Sequence, residues 1–104
     1  MTIFISLKRS EKPEKKYVVE LEGASGRRMR IHFGDANMKD YTLFSAEERA
    51  ARKRAYLSRH QAREDWSNPE TPGFWSRHIL WGDTPSVREN LKLTLRRYKL
   101  RGGL

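Results

Sequence analysis

The chain has no cysteine. That excludes disulfides, thiolate zinc sites and thiol catalysis, and it fits a reducing compartment. No apolar run approaches the ~20 residues that a membrane-spanning helix needs, so no membrane partner is expected. The N-terminus, MTIFISLKRS, places its charges after a short apolar run, not before it, and so does not read as a signal peptide. Hydrophobic residues are scarce at 37%, against ~45–50% in an ordinary globular domain. Acidic residues are also outnumbered, 13 against 22 Lys and Arg, and none follows Glu89. The three histidines, His32, His60 and His78, fall at no metal-ligand spacing, and GASGRR lacks the lysine and serine of a phosphate-binding loop. No metal, cofactor or catalytic residue is therefore expected.

What is present is a net charge of +9 and 11% aromatic residues on 104 positions. The length fits one domain, and the aromatics argue against a wholly disordered chain. A thin, aromatic-rich core is expected, because a chain this short buries only about two thirds of its unfolded surface. The charge favours polyanionic partners. The expected setting is a soluble intracellular protein, or one held inside an assembly.

Three runs alternate with period two and read as half-buried strands. They are TIFISL with Ile3, Ile5 and Leu7 inward, KKYVVELE with Tyr17, Val19 and Leu21 inward, and RMRIHF with Met29, Ile31 and Phe33 inward. GASG between the last two suits a tight hairpin loop. A helix is expected from Ser45, with Ser45 and Glu48 as a capping box, through AEERAARKRAYLSRHQARED. Its small residues Ala51, Ala55, Ser58 and Ala62 share a stripe that would let it sit close to a neighbour. A last helix is expected from Pro85 to about Lys99, with Thr84 as N-cap and Val87, Leu91, Leu95 and Tyr98 inward.

Between the two helices lies TPGFWSRHILWG, with Phe74, Trp75, Ile79, Leu80 and Trp81. In a helix these side chains cover most of the circumference, which marks a buried segment. The rival reading is a platform on which unpaired bases stack. Trp66, in a polar loop, reads as a lid over the core.

The sequence thus predicts an α+β fold: a three-stranded antiparallel meander over about 2–33, then two longer helices and one short aromatic helix over about 45–100. Three basic clusters stand out, Arg27, Arg28 and Arg30; Arg52, Lys53, Arg54 and Arg59; Arg96, Arg97, Lys99 and Arg101; within and beside them the candidate functional residues are Arg27, Arg28, Arg52, Arg54, Arg59, Arg63, Arg96 and Arg97. The planar guanidinium fork suits bidentate phosphate contacts. The expected partner is the phosphate backbone of DNA or RNA, bound with little sequence specificity because no base-reading motif is present. The alternative is a minor virion or capsid-associated protein whose charge meets acidic protein surfaces. A small metal-dependent nuclease using His32 or His60 is a third reading.

The pattern HFG at 32–34, DYT at 40–42, YLSRHQAREDW at 56–66, TPGFWSRHILW at 71–81 and Pro85–Ser86 resembles a family of small uncharacterised proteins of large DNA viruses and tailed phages. The resemblance spans about 30–100. It implies a viral setting and a compact β-plus-α module, and it brings no activity and no catalytic residue.

Overall fold

The computed structural model describes residues 2–100, so Arg101 lies outside the described residues. Three strands, β1 (Ile3–Arg9), β2 (Lys15–Glu22) and β3 (Arg28–Asp35), form an antiparallel sheet in the order β1-β2-β3. Helix α1 (Ala46–His60) follows, then α2 (Pro72–Trp75), which widens into a π-helical turn over Ser76–Leu80, and then α3 (Val87–Arg97). The architecture is the α+β arrangement expected from the sequence.

The alternation in β2 and β3 holds. Val19, Leu21, Ile31 and Phe33 are buried, with Tyr17 and Met29 packed at the margin of the same cluster. β1 departs from it. Phe4 pairs with Leu21, but the next partner pair is Ser6 with Glu20, which leaves Ile5 as the extra residue of a β-bulge. The bulge shifts the phase, so Phe4 and Leu7 face the core in place of the expected row of Ile3, Ile5 and Leu7. Phe4 offers the larger apolar body and lies 6.3 Å from the ring of Trp75, centroid to centroid.

The aromatic stretch is core. Phe74, Trp75 and Ile79 are fully inaccessible, and Leu80 and Trp81 nearly so. Thr71 caps α2 by accepting a hydrogen bond from the Phe74 amide at 3.3 Å, and Pro72 opens the first turn. The π-helical turn is closed by a bond from the Trp81 amide to the Ser76 carbonyl, 3.0 Å, five residues back. Gly82 ends it, since a Cβ there would stand 2.3 Å from the His78 carbonyl oxygen.

Helix α3 buries Leu91 and Leu95 as its periodicity predicts, but it starts two residues later than expected. Ser86, not Thr84, is the N-cap and accepts from the Glu89 amide at 3.1 Å. Thr84 is engaged elsewhere. Its amide and hydroxyl donate to Asn90 Oδ1 at 3.0 and 2.8 Å, while Asn90 Nδ2 donates to the carbonyls of Ile79 and Thr84, both at 2.8 Å. Asn90 is 1% exposed, and its bond to the Ile79 carbonyl is fully buried, where leaving it unmade is costly. The four bonds fasten α3 to the end of the π-helical turn.

Helix α1 is shorter and looser than expected. It stops at His60 because the acids beyond it find local partners. Glu64 accepts from Trp66 Nε1 at 2.8 Å, and Asp65 accepts from the Ser67 amide at 3.0 Å. Ser45 occupies the N-cap position but its side chain makes no capping bond, so the expected capping box is absent. The stripe of Ala51, Ala55, Ser58 and Ala62 faces solvent, not a neighbour. The inward seam is Arg49, Lys53, Tyr56, Leu57 and His60, of which only Tyr56 is buried. Tyr56 stacks on Trp81 with centroids 4.5 Å apart and planes 8° apart. Arg49 reaches the Phe44 carbonyl at 3.2 Å and Lys53 the Gly82 carbonyl at 2.8 Å, so charged heads and aliphatic stems do what apolar side chains do in an ordinary amphipathic helix.

Candidate functional site

Helix α1 supplies the first part of the site. At ~100° per residue, Ala51, Ala55 and Ser58 point away from the seam, with Arg52 and Arg59 on one flank and Arg54 on the other. All three arginines are exposed, and so is Arg63 just beyond the helix. Arg52 lies over the Phe44 ring at 5.2 Å. Among the described residues none of these four arginines forms an ion pair with an acid.

The other sequence-predicted arginines are scattered. Arg27 and Arg28 sit at the β2–β3 turn, and Arg28 lies 4.0 Å from Glu22. That turn is at the opposite end of β3 from Asp35, roughly 23 Å away at ~3.3 Å per residue. Arg96 is exposed at the end of α3. Arg97 is bonded to Asp83 at 2.9 Å, and the pair holds the Asp83 carboxyl below, and the Arg97 guanidinium above, their ordinary pKa. Arg52, Arg54 and Arg59 thus lie on α1 and Arg63 just after it, while Arg27 and Arg28 lie at the β2–β3 turn and Arg96 and Arg97 at the end of α3. Arg30, a member of the first cluster, is spent on a two-pronged pair with Glu11 at 2.5 and 3.1 Å. That pair lowers the Glu11 pKa to about 2.

A cleft of about 360 Å³ opens where the far end of β3 meets the C-terminal end of α1. Its cationic wall is Lys15, Lys39 and Arg59, and its floor is the apolar edges of Phe33, Leu80, Trp81 and Tyr56. Gly34, at φ +83°, keeps the floor tight, since a Cβ there would lie 2.6 Å from Leu80 Cδ1. The buried pair of Lys16 and Asp40, 2.5 Å apart, forms one border. Asp40 also accepts from the Thr42 amide at 2.8 Å and from the Thr42 hydroxyl, which explains the spacing of the DYT sequence as a turn fastened to β2. Beyond that border a second groove of about 350 Å³ is lined by Arg9, Lys12, Lys15 and Lys16, with Asp40 its one acid. The lysine set was not legible as a cluster in the sequence, because its members are far apart along the chain. The glycines of HFG and TPG, both beside the cleft, were the available signal.

The histidines divide by environment. His78 is buried. It donates from Nε2 to the Trp66 carbonyl at 2.8 Å, and burial pushes its pKa down. Trp66 is thereby held as a lid, with Arg77 5.5 Å above its ring. His60 lies 3.4 Å from Glu64 beside the cleft, and His32 shares a hydrogen bond with the Ser10 hydroxyl at 2.7 Å on the outer face of the sheet. Burial raises the Tyr56 hydroxyl far above the ordinary phenol range, so it stays protonated. Among the described residues, no three metal-ligating side chains converge, and no helix is long and apolar enough to cross a membrane.

A model of a family of unknown function (DUF5754) matches residues 5–60, more than half of the chain, and the chain belongs to that family. The match takes in the whole sheet except its first residues, the DYT turn and all of α1. No curated protein matches the chain, and no solved structure does.

Proposed function

We propose that this family member is a non-enzymatic basic protein that binds nucleic acid through backbone phosphates, with little sequence specificity. The viral accessory setting is the one its sequence resemblance implies. The observation that carries the reading is α1, a helix with small residues outermost and, on both flanks, exposed arginines that make no ion pair with Glu47 or Glu48 of its first turn. Small outward side chains let the helix axis approach a phosphate backbone, and the arginines then reach the phosphates bidentately. The net charge of +9 supplies the long-range attraction.

The test is a titration against fluorescent single- and double-stranded DNA and RNA at several salt concentrations. A log–log slope that steepens with each phosphate contact is expected, about 0.9 per contact on duplex DNA. A binding constant that barely responds to salt overturns the proposal.

A second reading, a minor virion protein seated on acidic protein surfaces, is favoured by Met38 and Leu43. These large apolar side chains are 60% and 57% exposed on the loop between β3 and α1. Retention in particles after nuclease treatment would select it.

A further inference from the structure

We infer that the cleft between β3 and the end of α1 seats a single nucleotide unit, with its base on the apolar floor and its phosphate on the lysine wall. This does not rest on phosphate tracking by α1, although Arg59, near the end of that helix, borders the cleft as well.

Three features of the cleft define the ligand together. Its volume, about 360 Å³, lies in the ~300–1,000 Å³ range of small-molecule sites. Its floor presents the edges of Phe33, Leu80 and Trp81, which suits a flat, apolar body and gives nothing to a bare anion. Its wall carries Lys15, opposite Asp35 in the sheet register, and Lys39; both are exposed and neither forms an ion pair among the described residues, so a ligand with no charge would leave them unused.

The carboxylates on the same walls narrow the class further. Asp35 and Glu64 both border the cleft. Asp35 is occupied by one bond, from the Asn37 amide at 2.9 Å, and a carboxylate has further acceptor sites. Acceptors at that position take hydrogen bonds from hydroxyl or amino donors. A nucleotide has a flat base, one phosphate at sugar distance from it, and sugar hydroxyls and base amines to donate. The Lys16–Asp40 pair is already satisfied and serves as the rigid border of the site.

The experiment is an NMR titration of the isotopically labelled full chain with adenosine 5′-monophosphate, and separately with adenosine and with inorganic phosphate. Saturable shifts at Gly34, Lys39 and Ser76 are expected, with the monophosphate binding at least about tenfold tighter than either fragment. The double variant Lys15→Gln/Lys39→Gln, both exposed positions, should weaken the monophosphate about tenfold and leave the fold unchanged. Inorganic phosphate binding as well as the monophosphate, or an unchanged affinity in the double variant, overturns the assignment.

A further arm separates the sources of the nucleotide. If the unit belongs to a single strand, the double variant loses affinity for an unpaired oligonucleotide and keeps it for duplex. If the unit is free, only the monophosphate titration changes. Duplex binding without salt dependence would remove the α1 proposal alone and leave this one standing.

Discussion

The two helical regions of the molecule are built on opposite terms. The segment from Thr71 to Arg97 buries Phe74, Trp75, Ile79, Leu80, Trp81, Leu91 and Leu95, and even its polar members Asn90 and Thr94 are inside with their bonds made. Helix α1 buries one residue, Tyr56, and turns its arginines to solvent. The difference separates two jobs. Stability resides in the aromatic half, where apolar area and satisfied polar groups accumulate. Charge is displayed on an element that enters the buried core through Tyr56 alone, so its other faces can vary without disturbing the packing.

Substitutions should break this contrast in a definite order. Trp75→Ala should have the largest effect, about 3–5 kcal/mol or outright loss of folding, measured by chemical denaturation. It removes a fully buried ring and orphans the Pro69 carbonyl that Nε1 reaches at 2.7 Å. Tyr56→Ala should cost less, about 1–3 kcal/mol, because α1 can lift away without opening the core. Hydrogen exchange checks the distinction: α1 amides should lose protection while those of β2 and α3 keep it.

Acid provides the next test. The pKa of His78 is lowered in the folded state, chiefly by burial, so the unfolded chain binds its proton more readily. Its contribution is fully present above the unfolded pKa of ~6.5 and is lost as pH falls through the lower, folded value. The slope of stability against pH below ~6.5 should therefore diminish in His78→Gln, compared by denaturation at a series of pH values.

The two helix starts give a smaller contrast. Ser86→Ala should cost about 1 kcal/mol, since Ser86 caps α3, whereas Ser45→Ala should fall within about 0.5 kcal/mol because no bond is lost. Smallest in stability is Arg54→Gln, within about 0.5 kcal/mol, while on the phosphate-binding proposal it should reduce the salt slope by about 1.

Much of this contrast was legible in the sequence, and the misses have physical causes. The inward rows of β2, β3 and α3 followed from period alone, and the density of apolar side chains around Trp75 marked the core. β1 was misread because a single bulge at Ile5 inverts a period-two pattern. The inner face of α1 was misread because alanine fits either a buried or an exposed stripe. Arg49 and Lys53, which count as polar in any pattern, line the seam by using their stems and by reaching carbonyls. The start of α3 was misplaced because Thr84 has a better partner in Asn90, sixth in sequence from it and invisible to a local rule. Of the candidate site, the arginine run on α1 is visible in the sequence because its members are close along the chain. The cleft is not, since it gathers Lys15, Lys39, Arg59 and Ser76 only through the tertiary fold.

The bulge in β1 has a consequence for how these molecules behave toward one another. A three-stranded sheet has two open margins, and a straight margin is a template onto which another chain can add a strand. At Ile5 the spacing of the β1 backbone is interrupted, and Lys8 and Arg9 follow at its end. A second copy approaching that margin meets a broken ladder and like charge. The irregularity that defeats a simple reading of β1 thus protects a chain with a small core from polymerising along its own sheet.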